Sequence, residues 1–151
     1  MFQMGVYAES YETSVVWSKC ANLCDTVMDS WNAEAARRGI KLHSVSLRIS
    51  QIYHSGVCVY IYFGVHNTTN DAYNTFKKMR EHLYTTIHEC GGSLSHHHGI
   101  GKKLRNKYTN SISTVGIKML KSIKRELDPK NIFAVGNLLT NVYEDEVPAK
   151  L

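Results

Sequence analysis

The chain has 151 residues, which suits one domain with a real core. Its hydrophobic share of 43% and charged share of 21% are ordinary for a globular chain, and no apolar run is long enough to cross a membrane. The formal charge of +5 fits an anionic substrate, whereas the lack of a dense Lys/Arg stripe interleaved with aromatics argues against nucleic acid.

The first residues carry no basic n-region and no signal-peptide core. Val6 to Glu12 reads as a short extended segment. Ser14 is placed to cap a helix from Val15 to about Arg38, because Val16, Cys20, Leu23, Val27 and Trp31 fall on one helical face. Gly39 supplies its stop. The cysteines (Cys20, Cys24, Cys58 and Cys90) show neither metal nor disulfide-framework spacing, so free thiols in a reducing compartment are expected.

Lys41 to Tyr53 and Val57 to Val65 read as two strands joined at Ser55-Gly56. In the second, Val57, Val59, Ile61, Phe63 and Val65 share one face, and Cys58, Tyr60, Tyr62 and Gly64 the other. The aliphatic face should pack on helices, leaving the tyrosine face to line something polar. Hairpin register stays open, so Arg48 faces either Tyr60 or Phe63. Asn70 or Asp71 caps a second helix to about Glu89, with Ala72, Phe76, Met79, Leu83, Ile87 and Cys90 on its inner face. Gly91-Gly92 ends it.

Next comes Ser95-His96-His97-His98-Gly99-Ile100-Gly101-Lys102. Three consecutive histidines are rare, and this run lies mid-chain, unlike a tag. Glycines 91, 92, 99 and 101 let the backbone turn sharply and approach a ligand. Lys102, Lys103 and Arg105 add positive charge. The combination offers imidazoles for proton transfer and a permissive backbone for an anion. No Cys-x-x-Cys or His-Glu-x-x-His pattern accompanies it, so no metal site is expected.

A third helix is predicted over Ser111 to Leu127, with Ile112, Val115, Met119, Ile123 and Leu127 inward and Lys118, Lys121, Lys124 and Arg125 solvated. Asp128-Pro129 breaks it. The order β-α-β-β-α-(site)-α predicts an α+β fold: an antiparallel sheet with helices packed on one face. One domain is expected over residues 1–140, with a flexible tail over 141–151. There is no Gly-x-Gly-x-x-Gly after a strand and no Walker loop, hence no nucleotide-phosphate cradle of the chain's own.

Three stretches carry a resemblance. One is Gly91 to Lys102; another is Asp128-Pro129-Lys130-Asn131-Ile132-Phe133. The third is Glu9-Ser10-Tyr11-Glu12-Thr13-Ser14 with Trp17, followed by Tyr53, Gly56, Cys58 and Tyr60-Ile61-Tyr62-Phe63. From about residue 5 to 139, the chain resembles the C-terminal cap part of the alkyldihydroxyacetonephosphate (alkylglycerone-phosphate) synthase family, within the vanillyl-alcohol-oxidase-like FAD-linked oxidases. Related 2-hydroxyacid dehydrogenases usually carry Glu-His-Gly where this chain has its histidine triplet, so the triplet points to the synthases.

The resemblance implies exchange of the acyl chain of acyl-dihydroxyacetone phosphate for a long-chain fatty alcohol, in peroxisomal ether-lipid synthesis. It implies FAD as an electrophilic trap at N5 with no net redox change. It places the family's proton-taking tyrosine on Tyr60 and the catalytic histidines on His96, His97 and His98. The phenol, with an ordinary pKa of about 10, needs nearby cations or imidazoles to act as a base. A homodimer and peripheral membrane contact are implied as well. The chain departs from the pattern at Val16, where proline is usual, and at Lys102-Lys103-Leu104-Arg105. The family's FAD-binding domain and phosphate-holding arginine have no counterpart here, so this chain alone is expected to be inactive. The alternatives are the cap of an FAD-dependent 2-hydroxyacid dehydrogenase and a non-catalytic interaction or metal-binding remnant. The C-terminal Ala149-Lys150-Leu151 is close to the peroxisomal address Ser-Lys-Leu.

Overall fold

The computed structural model describes residues 4–139, 141 and 142. Along them run β1 (Val6–Val16), α1 (Trp17–Arg37), β2 (Leu42–Ile52), β3 (Gly56–His66), α2 (Ala72–Glu89), α3 (Arg105–Ser111) and α4 (Thr114–Leu127). The described residues divide between His98 and Gly99 into two compact units. No described helix is long and apolar enough to cross a membrane. Ala149-Lys150-Leu151 and nearly all of the expected tail lie outside the described residues.

The first unit holds an antiparallel sheet of order β1-β3-β2. The alternation along β3 explains its central place. Val57, Val59, Ile61, Phe63 and Val65 are at most 4% exposed. This face packs on the apolar faces of both long helices: Trp31 of α1 meets the Phe63 ring at 5.0 Å, and Phe76 of α2 stacks on Phe63 at 6.0 Å. Leu23, Val27 and Trp31 on α1 and Phe76, Met79, Leu83 and Ile87 on α2 are buried, as their spacing predicts. The fold is α+β with both helices on one face.

The first helix starts later than the sequence suggests. Val16 occupies the position before α1 and makes no side-chain cap. Ser14 belongs to β1, opposite Cys58, and its hydroxyl bonds Ser93 Oγ at 3.0 Å. Ladder pairing with β3 outweighs the capping preference here. Gly39 does end the helix region, with φ 68°.

The second unit contains α3, where the stretch from Lys102 to Tyr108 was expected to begin a helix or a turn, and α4, which starts three residues past the expected Ser111. Ile112 is extended between α3 and α4, and Ser113 caps α4 by accepting from the Gly116 amide at 3.1 Å. The stripe expected to face inward does not. Val115, Met119, Ile123 and Leu127 are 66%, 61%, 53% and 78% exposed, and the α4 residue that is buried is Ile117. Past α4, Asp128 accepts the amides of Ile132 and Phe133 at 2.8 and 2.9 Å and binds Lys124 Nζ. This turn brings Phe133 alongside Ile123 and Leu127 in an open groove of about 700 Å³.

Candidate active site

The face of β3 turned away from the helices carries Cys58, Tyr60 and Tyr62. Register decides what surrounds Tyr60: Glu12 of β1 lies opposite it on one side and Arg48 of β2 on the other. Arg48 therefore faces Tyr60, its guanidinium 5.7 Å from the ring centroid, within cation–π range.

The histidine stretch reaches this face because α2 ends where it does. Gly91 takes φ 85°, a left-handed conformation that favours glycine. At Gly92 a Cβ would lie 2.7 Å from Thr13 Oγ1 and 2.8 Å from Ile87 Cγ2, so only glycine fits. The chain then runs beside β1 and is tied to it. Ser93 N donates to Ser14 O at 2.9 Å, Ser14 N donates to Ser93 Oγ at 2.8 Å, and Thr13 Oγ1 donates to Ser93 O at 2.7 Å. The buried Tyr11 hydroxyl donates to Leu94 O.

Beneath the triplet lies Glu12, 1% exposed. Its carboxylate accepts from the Ser95 hydroxyl at 2.6 Å and from the amides of His96, His97 and His98 at 2.8, 3.0 and 2.9 Å. Burial by itself would raise its pKa. The Ser95 hydroxyl and the three amides outweigh burial and hold the carboxyl below its ordinary value. Glu12 is therefore a fixed anion at neutral pH.

Above it the imidazoles fan out, His96 to His97 at 80° and His97 to His98 at 83°. All three are exposed. The half-buried Tyr60 hydroxyl sits 2.6 Å from His97 Nε2 and 3.0 Å from His98 Nε2. Tyr53 pairs with His96 Nε2 at 2.9 Å, beside a hollow of about 410 Å³ that also borders Gly56 and Gly92. The structure thus brings all four sequence-predicted site residues into one cluster. Sequence reasoning missed Glu12, Ser95 and Tyr53. Glu12 and Tyr53 sit in the resembling stretches, but only strand register and loop docking show that they meet the triplet.

The imidazoles and the cation that Tyr60 was expected to need as a base stand beside it, but they do not make it a free phenolate. Burial raises the phenol above its ordinary value, Cys58, Glu12 and Tyr62 add to that, and Arg48 opposes it without prevailing. Tyr60 stays a phenol at neutral pH. It can accept a proton only while passing its own to an imidazole, and two imidazole nitrogens stand within hydrogen-bond reach. Cys58, His96 and His97 also place donor atoms within 4.8 Å of one another. The thiol is fully buried, however, and each of these imidazoles already has its Nε2 engaged by a tyrosine hydroxyl. The arrangement favours a proton relay over a cation.

The profile of the FAD linked oxidases, C-terminal domain, matches residues 2–138, a span that includes every residue of this cluster. The chain belongs to that family. Among curated relatives, alkyldihydroxyacetonephosphate synthase of Caenorhabditis elegans is 41% identical over 138 residues, which cover 89% of this chain and 23% of the relative. The synthase of Dictyostelium discoideum is 26% identical over 140 residues, covering 93% and 23%. That of Trypanosoma brucei brucei is 26% identical over 133 residues, covering 88% and 22%. A solved structure of alkyldihydroxyacetonephosphate synthase in P212121 superposes with TM-score 0.61 at 20% identity, over 84% of this chain and 20% of that one, which establishes a shared fold. The chain spans less than a quarter of the length of these curated relatives.

This FAD linked oxidase C-terminal domain suits one side of a flavin site. Tyr60 and Tyr62 present rings 6.1 Å apart and 28° from parallel, and the imidazoles beside them offer N–H donors on a solvent-facing surface. A planar heteroaromatic ring with acceptor atoms on its edge matches that donor set.

Proposed function

We propose that the chain is the C-terminal, proton-handling part of an alkylglycerone-phosphate synthase. The observation that carries this reading is the Tyr60 hydroxyl shared by His97 and His98 at 2.6 and 3.0 Å, in a chain 41% identical to a synthase. The substrates are acyl-dihydroxyacetone phosphate and a long-chain fatty alcohol. Tyr60 takes the proton from C1 of the substrate as its phenolic proton moves to Nε2 of His97 or His98. Reversal of the same relay returns a proton to C1 after the acyl group has left as carboxylate and the alcohol oxygen has bonded to C1, its hydroxyl proton released to solvent. His96, held by Tyr53, borders the neighbouring hollow and orients substrate there. FAD, when bound, supplies the electrophile that stabilises the charge developing at C1, and Tyr60, Tyr62 and the triplet would form the wall facing its ring.

The same reading places the protein in peroxisomes, supported by Ala149-Lys150-Leu151, and at a membrane surface as a homodimer. The exposed Val115, Met119, Ile123 and Leu127, with Lys118 and Lys121 on the same helix, support the membrane contact. The dehydrogenase alternative lacks its glutamate, since His96 to His98 fill that stretch.

The test grafts this chain in place of the matching 138-residue segment of the C. elegans enzyme. The graft should be yellow after desalting and should exchange acyl for alkyl chains. Tyr60→Phe should keep the colour and lower kcat by about 10²-fold or more. A yellow graft with no exchange, or a Tyr60→Phe graft at full rate, defeats the reading.

A further inference from the structure

We propose that Glu12 is the positioning residue of the histidine triplet: its carboxylate gathers the amides of His96, His97 and His98, and thereby sets where the three imidazoles stand around Tyr60. The kinetic consequence rests on the function proposed above, but the structural one does not.

Three successive amides do not converge on one point by default. In a strand, neighbouring N–H groups point to opposite sides, and in a helix the interior ones bond carbonyls four residues back. Convergence needs a concave backbone with an anion at its centre. Here the anion comes from the protein itself, and its donors include Ser95 Oγ, the His96, His97 and His98 amides, with His96 reaching both carboxylate oxygens at 2.8 Å, and the Cys58 thiol at 3.9 Å. The concave turn is what splays the side chains, because residues curved around a point send their side chains outward. The imidazole planes 80° and 83° apart follow from this, as do two different rings reaching one phenol.

The placement of the charge matters as well. Glu12 Oε2 lies 3.9 Å from His97 Nδ1, too far for a hydrogen bond and close enough for an ion pair once the ring is protonated. Tyr60 meets the same ring at Nε2. A proton passed from Tyr60 to His97 therefore arrives on a ring backed by a fixed negative charge. The other groups facing this cluster are Arg48 over Tyr60, Tyr53 at His96, His98 at Tyr60, and Cys58, whose thiol is 3.9 Å from Glu12 Oε2. Arg48 is the permanently charged member of that set, and its field acts on the phenol from the side opposite Glu12.

The experiment compares Glu12→Gln with the parent in the full 151-residue chain by amide NMR. Glutamine keeps the shape but removes the charge and turns an N–H group toward backbone donors. The His96, His97 and His98 amides should lose the downfield shifts and slow exchange that a charged acceptor confers, while signals of β3 and α2 stay in place. Glu34→Gln, which removes a carboxylate on α1, should leave the triplet amides untouched. If Glu12→Gln fails to fold, Ser95→Ala takes its place, since it removes one donor and leaves the carboxylate. It should shift the same three amides and should lower kcat of the grafted enzyme about 3- to 10-fold. In that graft, Glu12→Gln should lower kcat about 10- to 100-fold with KM within about twofold. Triplet amides indifferent to both variants overturn the proposal. So does a kcat loss that Glu34→Gln reproduces. A graft that never exchanges, yet whose triplet amides move on substitution, removes the synthase reading and leaves Glu12 as the positioning residue.

Discussion

At the scale of single residues, the site is organised by charges whose protonation the fold has already decided. Glu12 and Tyr60 face each other across β1 and β3; the first is held ionised and the second neutral. Their identities were visible in the sequence, but their pairing was not, because a one-residue slip of register would put Glu12 on the other face of the sheet. A second decided charge sits on the first long helix. Glu34 on α1 is 8% exposed, and hydrogen bonds from Arg37 and Arg38 bring its pKa down to about 2, against the cost of burial. A carboxyl whose folded pKa is depressed stabilises the fold above its unfolded value near 4.5, and loses that contribution as pH falls toward 2. Glu34→Gln should thus cost on the order of 2 kcal/mol at pH 7 and little at pH 2. Urea denaturation at both pH values checks this, and an equal loss at the two would contradict it.

Among the elements, the two long helices and β3 are the best read from sequence. Their apolar spacing gave the right period and most of the buried set, with Val16 48% exposed and Cys20 and Cys90 only part-buried, because each has a partner face inside the first unit. Trp31 concentrates that packing, with Phe63 at 5.0 Å and Phe76 at 6.4 Å. Its indole nitrogen is buried and has no hydrogen-bond partner. Trp31→Ala should cost about 3–5 kcal/mol, and Trp31→Phe much less, because phenylalanine keeps most of the ring contacts and drops an unsatisfied donor. Thermal denaturation of both variants distinguishes ring packing from the indole N–H. For α4 the same reasoning misplaced a face. Val115, Met119, Ile123 and Leu127 do line up, as the 3.6 period requires, but periodicity tells which residues share a face and not what covers it. The start of α4 falls past the expected Ser111 because Ser113 caps the helix by accepting from the Gly116 amide and leaves Ile112 extended.

For the molecule as a whole, the division between His98 and Gly99 falls directly after the triplet. Lys102 and Lys103 follow it, exposed and in a turn. Limited trypsin treatment should cut there first and leave a fragment ending at Lys102 or Lys103 that resists further digestion, as mass spectrometry would show. Uniform degradation would mean that the first unit does not hold by itself. The family match spans both units, so the division lies inside the FAD linked oxidase C-terminal domain and not at its edge.

The sequence by itself determined the helices α1 and α2, the β2–β3 hairpin and the two faces of β3. These depend on local periodicity, turn glycines and side-chain type, all of which are written along the chain. Tertiary structure decided the rest. It set Tyr60 between Glu12 and Arg48, made Ser14 a strand residue, turned the α4 stripe outward and closed three amides on one buried carboxylate. Each of these depends on which distant segments meet, such as β1 with the loop some 83 residues later, and contacts at that separation leave no periodic trace in the residues that make them.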